Sequence, residues 1–217
     1  MTERLTRMGV KVLFHRTSIS EAINAAKPDD IAWRHIAHGA FLRVDIPMID
    51  TESEFILYTD CDVIFLRNPN IQNIKPKLFS VAPEFDLRDF KNMNSGVMVM
   101  NVNNMRNVFK EFTDFIRNGL PNFPAYDQGA LREFFAGKYD PLPLSLNWKP
   151  YWGANPDAEI IHFHGPKPRH ARDMLRGDFT KYPKVLRDLF LANRANYALL
   201  DEYWHACLDK VRSFHSE

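Results

Sequence analysis

A pair of aspartates, Asp60 and Asp62, follows directly on the apolar run over residues 55–58. Side chains alternate along a strand, so both carboxylates would lie on one side of it and Cys61 on the other. Neighbouring carboxylates repel each other unless a cation neutralises them, and a hard divalent cation prefers oxygen ligands. Because ligands of open α/β sheets bind beyond the carboxyl ends of strands, the pattern predicts a metal site. The alternative is a solvated acidic turn, although acids are costly to bury in so apolar a segment without a partner.

Two histidines, His162 and His164, alternate within residues 160–168 and would share one side of another strand. Imidazole is a good ligand for manganese, so one histidine would complete a mixed oxygen and nitrogen site with the two aspartates. Gly165 would let the backbone approach a ligand closely, and Lys167, after a Gly-Pro turn, is placed to neutralise a phosphate. The alternative is a pair of core histidines followed by a surface loop.

The elements that must hold these groups alternate between strands and helices. Runs rich in β-forming residues predict strands over residues 9–14, 55–58, 96–102 and 159–164, with 55–58 covered on both faces. Apolar residues at helical spacing predict helices over 105–119, over 127–136 and from 182 onward. A further helix is predicted to start after the N-cap Asp30 and to end before Pro47. This alternation predicts an α/β fold with a mainly parallel sheet flanked by helices.

The domain organisation is predicted to be simple. We expect one domain over residues 1–170 and a helical extension over 171–217. The apolar stripe of that extension comprises Leu200, Trp204, Cys207, Val211 and Phe214.

The composition of the 217-residue chain excludes several classes of protein. The formal net charge is +1, so no overall field would attract nucleic acid. With two cysteines and no CxxC pair, neither a disulfide scaffold nor a zinc ribbon is expected. The N-terminus lacks the apolar stretch of a signal peptide, and the most apolar segment, residues 55–66, is too short to span a bilayer. We therefore expect a cytoplasmic protein without a transmembrane segment.

An ordered set of short segments resembles glycosyltransferase family 8, whose members are retaining enzymes with a GT-A fold. In chain order the segments are Phe41-Leu42-Arg43 with Pro47, Leu57 to Val63 around the aspartates, Asn94 to Met98, Asp127-Gln128, and His162 to Pro168. The resemblance covers roughly residues 9–169. It implies a GT-A-like sheet, transfer of a hexose (glucose or galactose) from a UDP-sugar to a saccharide acceptor, and a divalent cofactor, Mn²⁺ or Mg²⁺.

The resemblance also implies a role for each matched residue. The metal ligands would be Asp60, Asp62 and His162, and the phosphate would be contacted by Gly165 and Lys167. The donor-sugar hydroxyls would be bound by Arg43, Asn94, Ser95 and Asp127. Gln128 would lie near the reacting carbon and, with Asp127, would form the catalytic pair.

One of these residues is also singled out without the resemblance. Arg43 falls on the stripe of Ile36 and Ala40, the side of the helix that is predicted to be buried. A buried guanidinium needs an anion or several acceptors. The alternative is a surface arginine at a frayed helix end.

The chain departs from the family pattern in two places. One residue separates Gly165 from Lys167 where the family usually has two, and Arg169 stands where the family has tryptophan. In addition, residues 9–14 resemble the second strand of the family rather than the first, so the first strand of the sheet is missing. Unpaired strand edges at that gap would favour a homo-oligomer.

Three other interpretations stay open. Residues 57–63 also fit the first motif of haloacid-dehalogenase-like phosphatases, in which Asp60 would be the nucleophile. That class needs a later acidic pair, but downstream of Gly177-Asp178 a tyrosine, Tyr182, stands at the expected second position. The chain could also bind a sugar nucleotide and a metal without turnover. Finally, its basic helical tail could dock a partner or a membrane.

Overall fold

The computed structural model describes residues 2–213 of the chain. Contacts divide it into two compact units. The helical unit comprises Met1–Glu54 and Asn101–Lys138, and the sheet unit comprises Phe55–Met100 and Tyr139–Glu217. This division differs from the predicted one at residue 170, because the C-terminal helices belong to the same unit as the sheet.

The helical unit contains helices in both of its chain segments. They are α1 (Thr2–Arg7), α2 (Ser20–Ala26), α3 (Ile31–Ala40), α4 (Ile46–Ile49), α5 (Val102–Asn107), α6 (Phe109–Gly119) and α7 (Asp127–Phe134). A 3₁₀ helix, Phe41–Asp45, joins α3 to α4.

The predicted N-cap of α3 is confirmed, since a carboxylate oxygen of Asp30 accepts the N–H of Trp33 at 2.9 Å. The predicted end of this helix is wrong. Pro47 lies in the first turn of α4 rather than closing α3, and a proline is tolerated there because the first N–H groups of a helix have no partner in any case. Ile36, which was predicted to lie on the buried stripe, is 54% exposed, whereas the adjacent Ala37 is buried.

The strand predicted over residues 9–14 does not form. The segment is without strand pairing, and its apolar side chains are exposed: 45% at Val10, 55% at Leu13 and 87% at Phe14. A run of β-forming residues becomes a strand only where a neighbour supplies hydrogen bonds and a surface to pack against. The sheets described below draw their strands from residues 55 onward.

The helix predicted over residues 105–119 forms as two helices, because the backbone leaves the helical conformation at Val108. α6 keeps the expected apolar face, with Phe112 and Ile116 buried. The ring of Phe112 lies 5.2 Å from that of Phe134 in α7, so α6 and α7 pack through aromatic side chains. The helix predicted over 127–136 is confirmed as α7.

The strands are β1 (Phe55–Thr59), β2 (Val63–Phe65), β3 (Phe79–Pro83), β4 (Met93–Asn101), β5 (Asp140–Pro141) and β6 (Ile160–His162). They belong to the sheet unit except for Asn101, the last residue of β4. Four of them form a sheet in the order β1-β4-β3-β5. β3 and β4 are antiparallel with a bulge between Val81 and Ala82, whereas β3 and β5 are parallel. The sheet is thus mixed rather than mainly parallel.

The burial of the strands follows their order in the sheet. Every residue of β4 is buried, as expected for a strand between two neighbours. β1 lies at the edge of the sheet and is only partly buried along its length, so the expectation that both of its faces are covered is wrong.

β2 and β6 form a separate antiparallel ribbon that brings two distant motifs together. Val63 pairs with His162, and Phe65 pairs with Ile160. The strand predicted over residues 159–164 is therefore confirmed, in a shorter form. The ribbon places the residue after Asp62 directly beside His162.

The helices α8 (Pro168–Leu175), α9 (Lys184–Ala192) and α10 (Arg194–Ser213) complete the sheet unit. Leu200 of α10 packs with Ile161 and Phe163 of the ribbon segment. Of the predicted stripe on α10, Leu200 is buried, whereas Cys207 is exposed and Val211 is 39% exposed. Phe214 lies outside the described residues. Across residues 2–213, none of the helices combines the length and the apolar character that crossing a membrane requires.

Candidate functional site

The sheet unit brings Asp60, Asp62 and His162 together. Each offers one ligand atom, and these atoms all lie within 4.8 Å of one another. Backbone hydrogen bonds hold the acidic segment in place, since the N–H of Asp60 donates to the Gly96 carbonyl at 2.8 Å. The N–H of Phe163 in turn donates to the Asp62 carbonyl at 2.9 Å. The predicted convergence of two acids and one imidazole is therefore present in the structure.

The donor set fits a divalent cation. Two carboxylates and one imidazole make a mixed oxygen and nitrogen site, which suits Mn²⁺ or Mg²⁺ better than a soft metal. The hydroxyl of Tyr58 donates to Oδ1 of Asp60 at 2.7 Å, which orients that carboxylate. Outer partners of this kind orient the ligands of a metal.

Lys167 supplies a positive charge at the same place. Its ammonium contacts Oδ2 of Asp62 and donates to the Phe163 carbonyl at 3.1 Å. The side chain is 45% exposed, so it can leave the carboxylate without crossing the interior. The ammonium of Lys167 thus neutralises the charge of Asp62 in this structure. Its predicted contact with a phosphate stays a prediction.

Electrostatics favour an ionised acid opposite a histidine that loses its proton readily. Burial alone would raise the pKa of Asp62, but the hydrogen bond and charge of His162 and the ammonium of Lys167 hold it well below its ordinary value. Burial lowers the pKa of His162, and Asp62 offsets only part of this effect. An anionic oxygen facing an imidazole nitrogen that tends to be deprotonated is a suitable arrangement for binding a cation.

Two glycines leave the space that the site needs. A Cβ atom on Gly96 would lie 2.1 Å from Cε1 of His162, so the imidazole ring packs directly against the backbone of β4. Gly165 has a φ angle of +82°, which favours glycine, and there the chain turns between β6 and Lys167.

Asn94 and Ser95 are buried in β4, each only 3% exposed. The side-chain carbonyl of Asn94 accepts the N–H of Gly96 and the side-chain amide of Asn147, both at 3.2 Å. That oxygen is thus engaged inside the protein. The predicted roles of Asn94 and Ser95 in sugar binding stay predictions.

The remaining predicted residues lie in the helical unit. Nε of Arg43 lies 2.9 Å from Oδ2 of Asp127, and the two side chains are 10% and 5% exposed. The prediction that a largely buried Arg43 needs an anion is therefore confirmed, with Asp127 as the anion. Gln128 follows in the first turn of α7 and is 7% exposed. The sugar-binding and catalytic roles of these residues stay predictions.

The second histidine of the 160–168 segment has other partners. Nε2 of His164 lies 3.1 Å from a carboxylate oxygen of Glu84, and Nδ1 lies 2.9 Å from the hydroxyl of Tyr151. Its ring centre is 5.8 Å from that of His162, so the two rings are neighbours although only His162 joins the acidic pair.

One residue that the sequence did not indicate belongs to the site. Oδ1 of Asn147 lies 3.0 Å from Nδ1 of His162, and Asn147 is fully buried. It ends the 3₁₀ helix Leu144–Asn147 in a proline-rich segment, 15 residues before the histidine, and no local pattern distinguishes it from other asparagines.

The phosphatase interpretation finds no support in the part of the chain that the structure describes. Among residues 2–213, the cluster of acids and histidine described above is the group of this kind that could hold a metal, and it lacks a later acidic pair. Asp178 instead forms an ion pair with Lys181 at 2.6 Å.

Comparisons with known proteins place this geometry in context. No family model matches the chain. Glycogenin of Neurospora crassa is 30% identical over 137 residues, which cover 59% of this chain and 19% of that relative. The apo form of the glycosyltransferase GlyE of Streptococcus pneumoniae TIGR4 matches with a TM-score of 0.51 at 16% identity, over 77% of this chain and 46% of GlyE. An active-site mutant of LgtC matches with a TM-score of 0.50 at 16% identity, over 78% of this chain and 93% of LgtC.

At such identities the structural matches bear on the fold. They confirm the α/β, GT-A-like class that the sequence predicted, with a mixed sheet. The chain spans less than half the length of GlyE and about a fifth of the length of glycogenin.

Proposed function

We propose that this chain is the catalytic part of a metal-dependent glycosyltransferase. The reaction would move a hexose, glucose or galactose, from a UDP-sugar to a saccharide acceptor with retention of the anomeric configuration. The proposal is supported by the GT-A-like fold shared with the glycosyltransferase GlyE and by the similarity to glycogenin. The observation that carries it is the convergence of Asp60, Asp62 and His162 within 4.8 Å.

The residues of the sheet unit have distinct tasks in this proposal. Asp60, Asp62 and His162 would hold Mn²⁺ or Mg²⁺, which would offset the charge that develops on the departing diphosphate. Tyr58 keeps the carboxylate of Asp60 oriented. Lys167, whose ammonium contacts Asp62, would be available to a phosphate oxygen next to the turn at Gly165.

The roles proposed for other residues rest on the family resemblance alone. These are sugar binding by Arg43, Asn94, Ser95 and Asp127, and catalysis by Gln128 with Asp127. Retention of the anomeric configuration has the same support. The anomer of the product tests it directly, and an inverted product contradicts it.

The central test is thermal unfolding against a panel of UDP-hexoses, with and without Mn²⁺. Binding to the native state stabilises it by about 2.7 kcal/mol at a hundredfold excess of ligand over Kd. We expect stabilisation by UDP-glucose or UDP-galactose only when Mn²⁺ is present. Asp62→Asn should abolish the metal-dependent part, because the substitution removes one anionic ligand.

The exposed Asp157 provides a matched control for this substitution. Asp157→Asn should respond to Mn²⁺ and UDP-hexose as the wild type does. An unchanged metal response of Asp62→Asn contradicts the proposed site. Stabilisation without either transfer or slow hydrolysis of the donor supports the alternative of a sugar-nucleotide-binding protein without turnover.

A further inference from the structure

Three buried polar side chains of the sheet unit form a hydrogen-bonded row that starts at a backbone amide. The N–H of Gly96 donates to Oδ1 of Asn94 at 3.2 Å. Nδ2 of Asn147 donates to the same oxygen at 3.2 Å, and Oδ1 of Asn147 lies 3.0 Å from Nδ1 of His162. Asn94, Asn147 and His162 are 3%, 0% and 2% exposed, so bulk water does not compete for these bonds.

The direction of each hydrogen bond in this row follows from the first. A backbone N–H can only donate, so the Asn94 atom that faces Gly96 is the side-chain carbonyl oxygen. The Asn147 atom that faces this oxygen must be the NH₂ group, since two carbonyl oxygens would repel each other. The other polar atom of Asn147 is then its carbonyl oxygen, which can only accept. Nδ1 of His162 therefore carries a proton, and this N–H donates a hydrogen bond to Oδ1 of Asn147.

This proton decides which nitrogen of His162 can bind a cation. With a proton held on Nδ1, the lone pair of the neutral ring is on Nε2. Nε2 lies 3.4 Å from Oδ1 of Asp62, on the side of the candidate metal site. We propose that Asn147 is a positioning residue that accepts a hydrogen bond from the Nδ1–H of His162 and so presents the Nε2 lone pair to the divalent cation. This inference rests on the proposed function, which supplies the cation.

The backbone keeps Asn147 and His162 in register with each other. Asn147 ends the 3₁₀ helix Leu144–Asn147, and the next residue, Trp148, is bonded to the strand that carries the histidine. The N–H of Trp148 donates to the Ile160 carbonyl at 3.0 Å, and the N–H of His162 donates to the Trp148 carbonyl at 2.8 Å. These bonds leave little freedom for the two side chains to separate, so the row is a rigid support for the imidazole.

Two substitutions of Asn147 separate its role as a hydrogen-bond acceptor from its role in packing. Asn147→Leu keeps a side chain of similar shape but removes the acceptor. Asn147→Asp keeps a carboxylate oxygen for Nδ1 of His162 but cannot donate to Asn94. We expect Mn²⁺ affinity, measured by titration calorimetry, to fall 10- to 100-fold in Asn147→Leu, which is typical for the loss of an outer partner.

Asn147→Asp should bind Mn²⁺ more tightly than Asn147→Leu, because a carboxylate beside a histidine also orients a metal ligand. A purely structural role predicts the opposite order, since an additional buried carboxylate that faces a carbonyl oxygen is more disruptive than leucine. The exposed Asn122 provides a matched control, and Asn122→Leu should leave Mn²⁺ affinity unchanged. Circular dichroism establishes that each variant is folded.

Nitrogen-15 chemical shifts of His162 in the metal-free protein test the tautomer without any metal or activity. We expect the proton on Nδ1 in the wild type and in Asn147→Asp, and a mixture of tautomers in Asn147→Leu. A wild-type proton on Nε2 overturns the proposal, as does an Asn147→Leu variant with unchanged tautomer and unchanged Mn²⁺ affinity. If the wild type has the Nδ1 proton but binds no Mn²⁺, the assignment of the His162 tautomer stands. The metal role of Asn147 and the proposed function are then both contradicted.

Discussion

Replacing Gly96 by alanine should weaken metal binding through a steric effect on one ligand. The added Cβ would lie 2.1 Å from Cε1 of His162, whereas ordinary contact begins at 3.4 Å. The imidazole would therefore have to move by about 1.3 Å, the difference between these two distances. Metal-ligand distances tolerate deviations of about 0.2 Å. A ring displaced this far can no longer act as a ligand in its present position.

Two consequences of this displacement can be measured separately. Because Asn147 holds the ring at Nδ1, moving it also lengthens the bond of 3.0 Å between these residues. Losing an oriented ligand should lower Mn²⁺ affinity by at least the 10- to 100-fold that is typical of losing an outer partner. Overpacking of the buried strand should also lower the free energy of unfolding by roughly 1–3 kcal/mol.

Titration calorimetry with Mn²⁺ and urea unfolding report these two effects. Gly39→Ala is a matched control, because a Cβ there meets nothing within 4 Å and the residue lies within α3. Alanine in a helix interior should raise the free energy of unfolding by roughly 0.5–1 kcal/mol and leave Mn²⁺ affinity unchanged. If Gly96→Ala binds Mn²⁺ as the wild type does, the assignment of His162 as a ligand that packs on β4 is wrong.

Three further predictions concern stability. Asp30→Ala should lower the free energy of unfolding by about 1 kcal/mol through loss of the N-cap of α3, as measured by urea unfolding. Asp29→Ala, at the adjacent exposed position, should leave the free energy of unfolding unchanged. Asp127→Asn leaves the largely buried guanidinium of Arg43 without its carboxylate and should cost roughly 3–5 kcal/mol, whereas a double variant with apolar residues at both positions should recover most of the loss. Burial lowers the pKa of Lys149 well below 10.5. At pH values between the lowered pKa and 10.5, this lysine is therefore protonated in the unfolded chain but not in the folded protein. Stability measured at increasing pH should therefore rise toward pH 10.5 relative to Lys149→Met, and parallel pH profiles of the two proteins would refute this.

The parts of the site that could be predicted from sequence are those whose signal is local. An apolar run followed by Asp60 and Asp62 predicts a strand end with two carboxylates on one side, and β1 confirms the strand. The alternation around His162 predicts the strand β6 in the same way. Strand periodicity and ligand chemistry both act within a few residues, so neither needed the rest of the fold.

Features that depend on partners far away in the sequence were mispredicted or missed. Residues 9–14 have strand propensity, but no strand within residues 2–213 pairs with them, and Phe14 is 87% exposed. β3 (Phe79–Pro83) was missed because serine, alanine and proline weaken its local signal, although all five of its residues are buried. It is a strand because β4 pairs with it along its length.

Asn147 shows why a positioning residue is harder to find than a ligand. Aspartate and histidine are residue types that commonly bind metals, so their spacing already suggests a metal site. An asparagine in a proline-rich segment is compatible with many different structural roles. Its role is defined by two contacts with residues 15 and 53 positions away. Only the folded chain brings those contacts together, so sequence patterns could not indicate them.

The Asn94-Ser95-Gly96 segment of β4 has structural roles that do not require contact with a sugar. The carbonyl of Gly96 accepts the N–H of Asp60 at 2.8 Å, its missing side chain makes room for His162, and its N–H fixes the orientation of Asn94. This segment of a buried strand thus supports two of the three proposed metal ligands, Asp60 and His162. Loss of activity in an Asn94 variant would therefore not by itself demonstrate contact with a sugar. Mn²⁺ affinity separates the two cases, because a residue that acts only on the sugar leaves it unchanged, whereas a residue that supports His162 through Asn147 lowers it.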